Sequence, residues 1–91
     1  LAAQQAFDWG MVTRVVEDQS VTSTAQDFAE RLAKGPTHAL GLMRKLLWAA
    51  GDASFETQLA AESSAQSAAG RHPHFAEGVA AFLEKRKASF E

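Results

Sequence analysis

The feature that most constrains this chain is its punctuation. Gly10, Gly35-Pro36, Gly51-Asp52, Gly70 and Pro73 cut 91 residues into short segments. Each segment is rich in Ala, Leu, Gln, Glu, Lys and Arg, which favour helix. Ile and Asn are absent, and most Val and Thr fall between positions 12 and 24. One short β-prone run cannot build a sheet, so the pattern predicts an all-α domain. A short leading helix precedes four main ones.

The predicted leading helix spans residues 2–9, with Ala3, Ala6 and Phe7 on one side and Gly10 at its end. Met11, Val12, Val15 and Val16 read as an extended connector, or as a short strand that pairs with another part of the parent protein. Residues 21–34 carry an apolar stripe of Val21, Ala25, Phe28, Ala29, Leu32 and Ala33. Ser20 or Ser23 caps that helix, the latter as a capping box with Gln26. Residues 36–50 form the next, with Pro36 as its first helical residue. Its apolar arc holds Ala39, Leu42, Met43, Leu46, Leu47 and Ala50, and Trp48 falls on the polar arc. Residues 53–69 follow, capped by Asp52 or Ser54 and broken by Gly70-Arg71. Residues 73–87 complete the set. Pro73 opens that helix, Phe75, Val79, Phe82 and Leu83 lie on one face, and Lys85, Arg86 and Lys87 close it. Gly78 in its middle costs up to about 1 kcal/mol against Ala, which predicts a close contact there.

Composition narrows function mainly by exclusion. Nine Lys+Arg against eleven Asp+Glu give a net charge of −2. That balance argues against nucleic acid as a partner. The absence of cysteine removes disulfides, thiolate zinc sites and cysteine nucleophiles. No apolar run is long enough to span a membrane. No leader pattern is visible, which suggests the cytoplasm. The chain opens on Leu1 and reads as a fragment or processed piece. Much of the 46% hydrophobic share is Ala, so a chain this short should be marginal alone and gain from a partner surface.

Candidate chemistry is sparse. His72-Pro73-His74 hints at a metal, but two imidazoles need further ligands, and a polar helix-start loop is the better reading. Glu62 sits near the apolar side of its helix; buried acids more often cap or pair with Arg than catalyse. The glycines match neither phosphate-loop spacing. Trp48 either lies on the Arg44 or Lys45 stem or marks an interface, and the interface is favoured. Residues 85–87 either offset the helix dipole or, with Phe82 one turn earlier, hold an anionic ligand beside an aromatic ring.

Several stretches then line up with one family. Ala3, Ala6, Gly10, Met11, Val12, Val15 and Val16 fit a pattern A-x-x-A-x-x-x-G-L/M-V-x-x-V-V. Residues 28–36 look like the following helix and break. Glu77-Gly78, Ala81-Phe82, Glu84-Lys85-Arg86 and Phe90 fit an ending E-G-x-x-A-F-x-E-K-R-x-x-x-F. Together these resemble the C-terminal part of the enoyl-CoA hydratase/isomerase (crotonase) superfamily. Arg44 falls where the family usually has Lys, and Glu62 on a recurrent Glu. The family often starts its last helix with Ser-x-Asp, where this chain has His72-Pro73-His74.

The resemblance implies a helical trimerisation region from an enzyme acting on acyl-CoA thioesters. Residues 1–20 would end a preceding core region and residues 21–91 would form the helical domain. Oxyanion-hole donors and catalytic acids lie upstream in the family, so no catalytic or metal-binding residue is assigned. The implied CoA contacts are Phe82 beside the adenine and Lys85 toward the phosphates. Coenzyme A would arrive as part of the substrate, with no permanently bound cofactor. Implied partners are the chain's own N-terminal catalytic domain and further copies in a trimer or hexamer. The isolated chain should show no turnover. Residues 35–42 and Ala69-Gly70-Arg71 look closest to phenylacetate-pathway ring isomerases. A helical interaction module without catalysis is the other alternative.

Overall fold

A computed structural model describes residues 1–91. It contains five α-helices, one 3-10 turn and no strand: α1 (Ala3–Asp8), the 3-10 turn (Asp18–Ser20), α2 (Val21–Ala33), α3 (Thr37–Ala49), α4 (Phe55–Arg71) and α5 (Pro73–Leu83). The all-α expectation and the number of helices hold. The residues fall into two compact units, Leu1–Glu30 and Arg31–Glu91.

In the first unit, α1 buries Ala6 and ties Gln4 to Asp8, whose carboxylate accepts from Gln4 Nε2 at 2.9 Å. Gly10 takes φ +72°. The N–H groups of Met11 and Gly10 donate to the Ala6 and Phe7 carbonyls, each at 2.9 Å. This paired closure satisfies two carbonyls that the helix end would otherwise leave open, and it needs the left-handed residue that glycine supplies. Residues 11–17 form no strand, as expected for a connector. The start of α2 departs from expectation. The turn Asp18–Ser20 runs straight into Val21, so Ser23 lies inside the helix. Its hydroxyl donates to the Ser20 carbonyl at 3.2 Å, which leaves no capping box with Gln26.

In the second unit, α4 packs against both α3 and α5. Pro36 stands one residue before α3, not inside it. With φ −73° and ψ 74°, and the Thr37 N–H donating to the Gly35 carbonyl at 2.8 Å, it forms an inverse γ-turn. A Cβ on Gly35 would lie 3.2 Å from the Leu32 carbonyl, so glycine lets the chain reverse tightly here. Of the two candidate caps for α4, Ser54 is the one used: its Oγ accepts from the Thr57 N–H at 3.2 Å. Ser54→Ala should therefore cost about 0.5–1 kcal/mol, measured by urea unfolding, and an unchanged midpoint would count against the cap.

Two helix ends differ from expectation. α4 does not break at Gly70; it continues through Arg71 and stops at His72, whose ψ of 143° is extended because Pro73 disfavours helix before it. α5 ends at Leu83, so Lys85, Arg86 and Lys87 lie beyond it. Lys85 takes φ +54°. The Arg86 and Lys85 N–H groups donate to the Ala81 and Phe82 carbonyls at 3.0 and 3.3 Å. This repeats the closure after α1, with lysine in the place of glycine.

Burial is thin. Only Ala6 and Ala81 are buried, while Leu47, Trp48, Phe55, Phe82 and Leu83 are each more than 70% exposed. The predicted apolar stripes exist on the helices, but most of them remain uncovered.

Candidate ligand surface around helix α5

Helix α5 places Phe75, Val79, Phe82 and Leu83 along an open apolar groove of about 390 Å³. His38 from α3 and Phe90 from the C-terminal tail also line it. Gly78 is on the groove as well. Nothing lies within 4 Å of where its Cβ would be, so the expected close contact at Gly78 is absent. Its missing side chain widens the groove instead.

Phe82, expected beside an aromatic ligand, lines this groove and is 82% exposed. Lys85 does not sit one helical turn along the same face, because the helix has already ended. It projects from the left-handed turn that follows. For a residue with a Cβ that conformation costs on the order of 1–2 kcal/mol.

The tail after that turn is held down by one acid. Glu77 accepts two bonds from the Arg86 guanidinium, Nη1 to Oε1 at 2.6 Å and Nη2 to Oε2 at 2.9 Å. The Ser89 N–H adds a third, to Oε1 at 2.8 Å. Arg86 Nε also donates to Glu84 at 2.6 Å. These bonds, led by the Arg86 guanidinium and then the Ser89 N–H, hold the Glu77 carboxyl down at about pKa 2. Hydrogen bonds from Glu77 and Glu84 raise the Arg86 pKa in turn. Arg86 is thus committed to structure, which no local pattern signals, because Glu77 and Arg86 are nine residues apart on either side of a helix end. Of the basic run, Lys85 and Lys87 form no ion pair.

A second cluster lies on the same groove. The His38 and His72 rings stack at 4.2 Å with 6° between planes, His74 meets His72 edge-on at 4.3 Å, and Phe90 meets His74 at 5.3 Å. His72 is also the N-cap of α5, its Nδ1 accepting from the His74 N–H at 3.2 Å. The helix-start reading of His72-Pro73-His74 is correct, but the involvement of His38 is visible only in three dimensions. No group of three His, Asp or Glu is arranged to hold a metal ion. No helix is long and apolar enough to cross a membrane.

The remaining candidates sit elsewhere. Glu62 is exposed, accepts from Gln58 Nε2 at 3.0 Å, and lines an open groove between α3 and α4. The Arg44 guanidinium lies 5.4 Å from the Trp48 ring centroid, in line with the first reading of Trp48, and that ring stays 77% exposed.

The enoyl-CoA hydratase/isomerase family model matches residues 1–91. The chain belongs to the enoyl-CoA hydratase/isomerase family. It is 43% identical over 90 residues to 1,2-epoxyphenylacetyl-CoA isomerase of Escherichia coli, and covers 99% of this chain and 34% of that protein. Against 4-chlorobenzoyl coenzyme A dehalogenase-1 of Arthrobacter it is 34% identical, covering 98% and 32%. The crystal structure of an enoyl-CoA hydratase from Polaromonas sp. JS666 superposes with TM-score 0.93 at 30% identity, over all of this chain and 35% of that one. The chain therefore spans about a third of the length of the relatives it matches.

Proposed function

We propose that this chain serves an enzyme acting on enoyl-CoA-type thioesters, as a hydratase or isomerase, and that it supplies oligomerisation surface and part of the CoA site. Residues 1–20 would be the end of a core region and residues 21–91 the helical domain. Phe82 would stack on the adenine and Lys85 would face the phosphates. The observation that carries this reading is the pair itself: a phenyl ring left 82% exposed, three residues before a lysine held at positive φ. Neither state is favourable for folding alone, and both suit a flat, anionic ligand. The names of the relatives, an epoxyphenylacetyl-CoA isomerase and a chlorobenzoyl-CoA dehalogenase, support a CoA thioester. The uncovered faces at Leu47, Trp48 and Phe55 support burial against a catalytic domain and further copies in a trimer or hexamer. Acid–base groups for turnover would then come from that catalytic domain, and this chain alone should not hydrate crotonyl-CoA.

Calorimetric titration with CoA tests the ligand. Lys85→Ala should weaken binding about fivefold, and Phe82→Ala about tenfold. Equal affinities in all three proteins would remove both residues from the site.

The second reading, a ring isomerase of phenylacetyl-CoA type, is favoured by the 43% identity to the Escherichia coli enzyme. Assay of the parent protein with crotonyl-CoA against an epoxidised phenylacetyl-CoA separates the two.

A further inference from the structure

The imidazole cluster performs no task in the CoA reading, and its chemistry points in one direction. Two contacts of His72 matter here, and the first requires a neutral ring. Its Nδ1 is the acceptor for the His74 N–H, so that nitrogen carries no proton. Its face lies against His38 at 4.2 Å, nearly parallel. Protonation would remove the acceptor and place a cation at the positive end of the α5 dipole. Nearby, His74 Nδ1 is buried with no hydrogen-bond partner. His74 in turn is the ring on which Phe90 rests.

The groups facing His72 are His38 from α3 and His74 from α5. The groove residue from α4, Ala69, and the one from the tail, Phe90, carry no charge. No acid of these elements pairs with the cluster to offset a proton.

We infer that His72, stacked on His38 and edge-on to His74, is a pH-sensitive latch: neutral, it caps α5 with Phe90 seated on the groove; protonated, it uncaps the helix and frees the Phe90 ring. The direction of titration agrees, since burial first, and then His38 and His74, lower the pKa of His72 below 6.5. The sign follows from proton linkage. A released His72 binds protons more readily than a seated one. The latch is therefore fully closed above 6.5 and weakens as pH falls from 6.5 toward the lowered value, by up to about tenfold per pH unit for each proton taken up. The other hold on the tail does not change in that window, because Glu77 stays ionised down to about 2. Mild acidification thus acts on His72 and leaves the Glu77–Arg86 clasp intact.

The test is an NMR titration of the full chain between pH 7.5 and 5. The Phe90 ring resonances and the His74 amide should move together with the His72 ring, at a midpoint below 6.5. In His72→Asn, which keeps a capping acceptor without a titratable ring, the His74 amide should lose that response. Phe90 and His74 signals that stay flat in the unmodified chain would overturn the proposal, whether or not the variant folds. So would an unchanged response in His72→Asn.

Discussion

Ala81→Leu should lower the melting temperature of this chain more than any other apolar exchange on α5. Ala81 is 2% exposed, the most enclosed side chain in the molecule, on a helix that packs against α4. A leucine adds three carbons where a methyl already fills the space. Such overpacking typically costs about 1–3 kcal/mol, and each kcal/mol lowers the midpoint of a domain this small by about 4–8 °C. The comparison is Ala76→Leu, on the same helix and exposed, where the change should stay within about 0.5 kcal/mol. Both are read by far-UV circular dichroism on heating. Equal melting of the two variants would mean that the enclosure of Ala81 does not hold the unit together.

Lys85→Gly should move stability and ligand affinity in opposite directions. The lysine sits at φ +54° at the position after α5 where the Arg86 and Lys85 N–H groups return to Ala81 and Phe82. Glycine pays no Cβ penalty there, and Gly10 plays the same part after α1 at φ +72°. The variant should gain about 1 kcal/mol, reduced somewhat by the greater freedom of glycine in the unfolded chain. It should also bind CoA about as weakly as Lys85→Ala, because both lack the ammonium. A glycine variant that melts no higher would show that the turn is unstrained. One that melts higher and binds CoA as well as the unmodified chain would separate the strain from the ligand.

Much of the fold was legible in the sequence, for a local reason. Helix propensity, the 3.6-residue stripe and Gly or Pro punctuation all act within a few residues, so five helices could be placed by reading along the chain. Ser54 was among the named caps because a hydroxyl three residues before a helical N–H is a local signal. The errors lie where local signals competed. Gly70 reads as a breaker, but Pro73 sets the boundary, through the extended backbone it imposes on His72. Three cations after Leu83 read as the end of a helix, yet the chain turns at Lys85 because Glu77 captures Arg86 and Ser89 from across that turn. For the candidate site, an aromatic ring near a basic run and the family motif both point to Phe82 and Lys85, without the geometry that separates them.

The sequence by itself determined that this chain is helical, that it lacks cysteine chemistry, and which side of each helix is apolar. These properties follow from side-chain type and spacing. Only the tertiary structure decided that the apolar sides stay largely uncovered, that Lys85 stands in a left-handed turn, and that His38 joins His72 and His74. Those facts depend on contacts between residues 9 to 34 positions apart, and no local preference encodes such contacts. The mild overall charge of −2 likewise says nothing about where charge is spent. The folded chain commits Arg86 to Glu77 and leaves Lys85 without an ion pair.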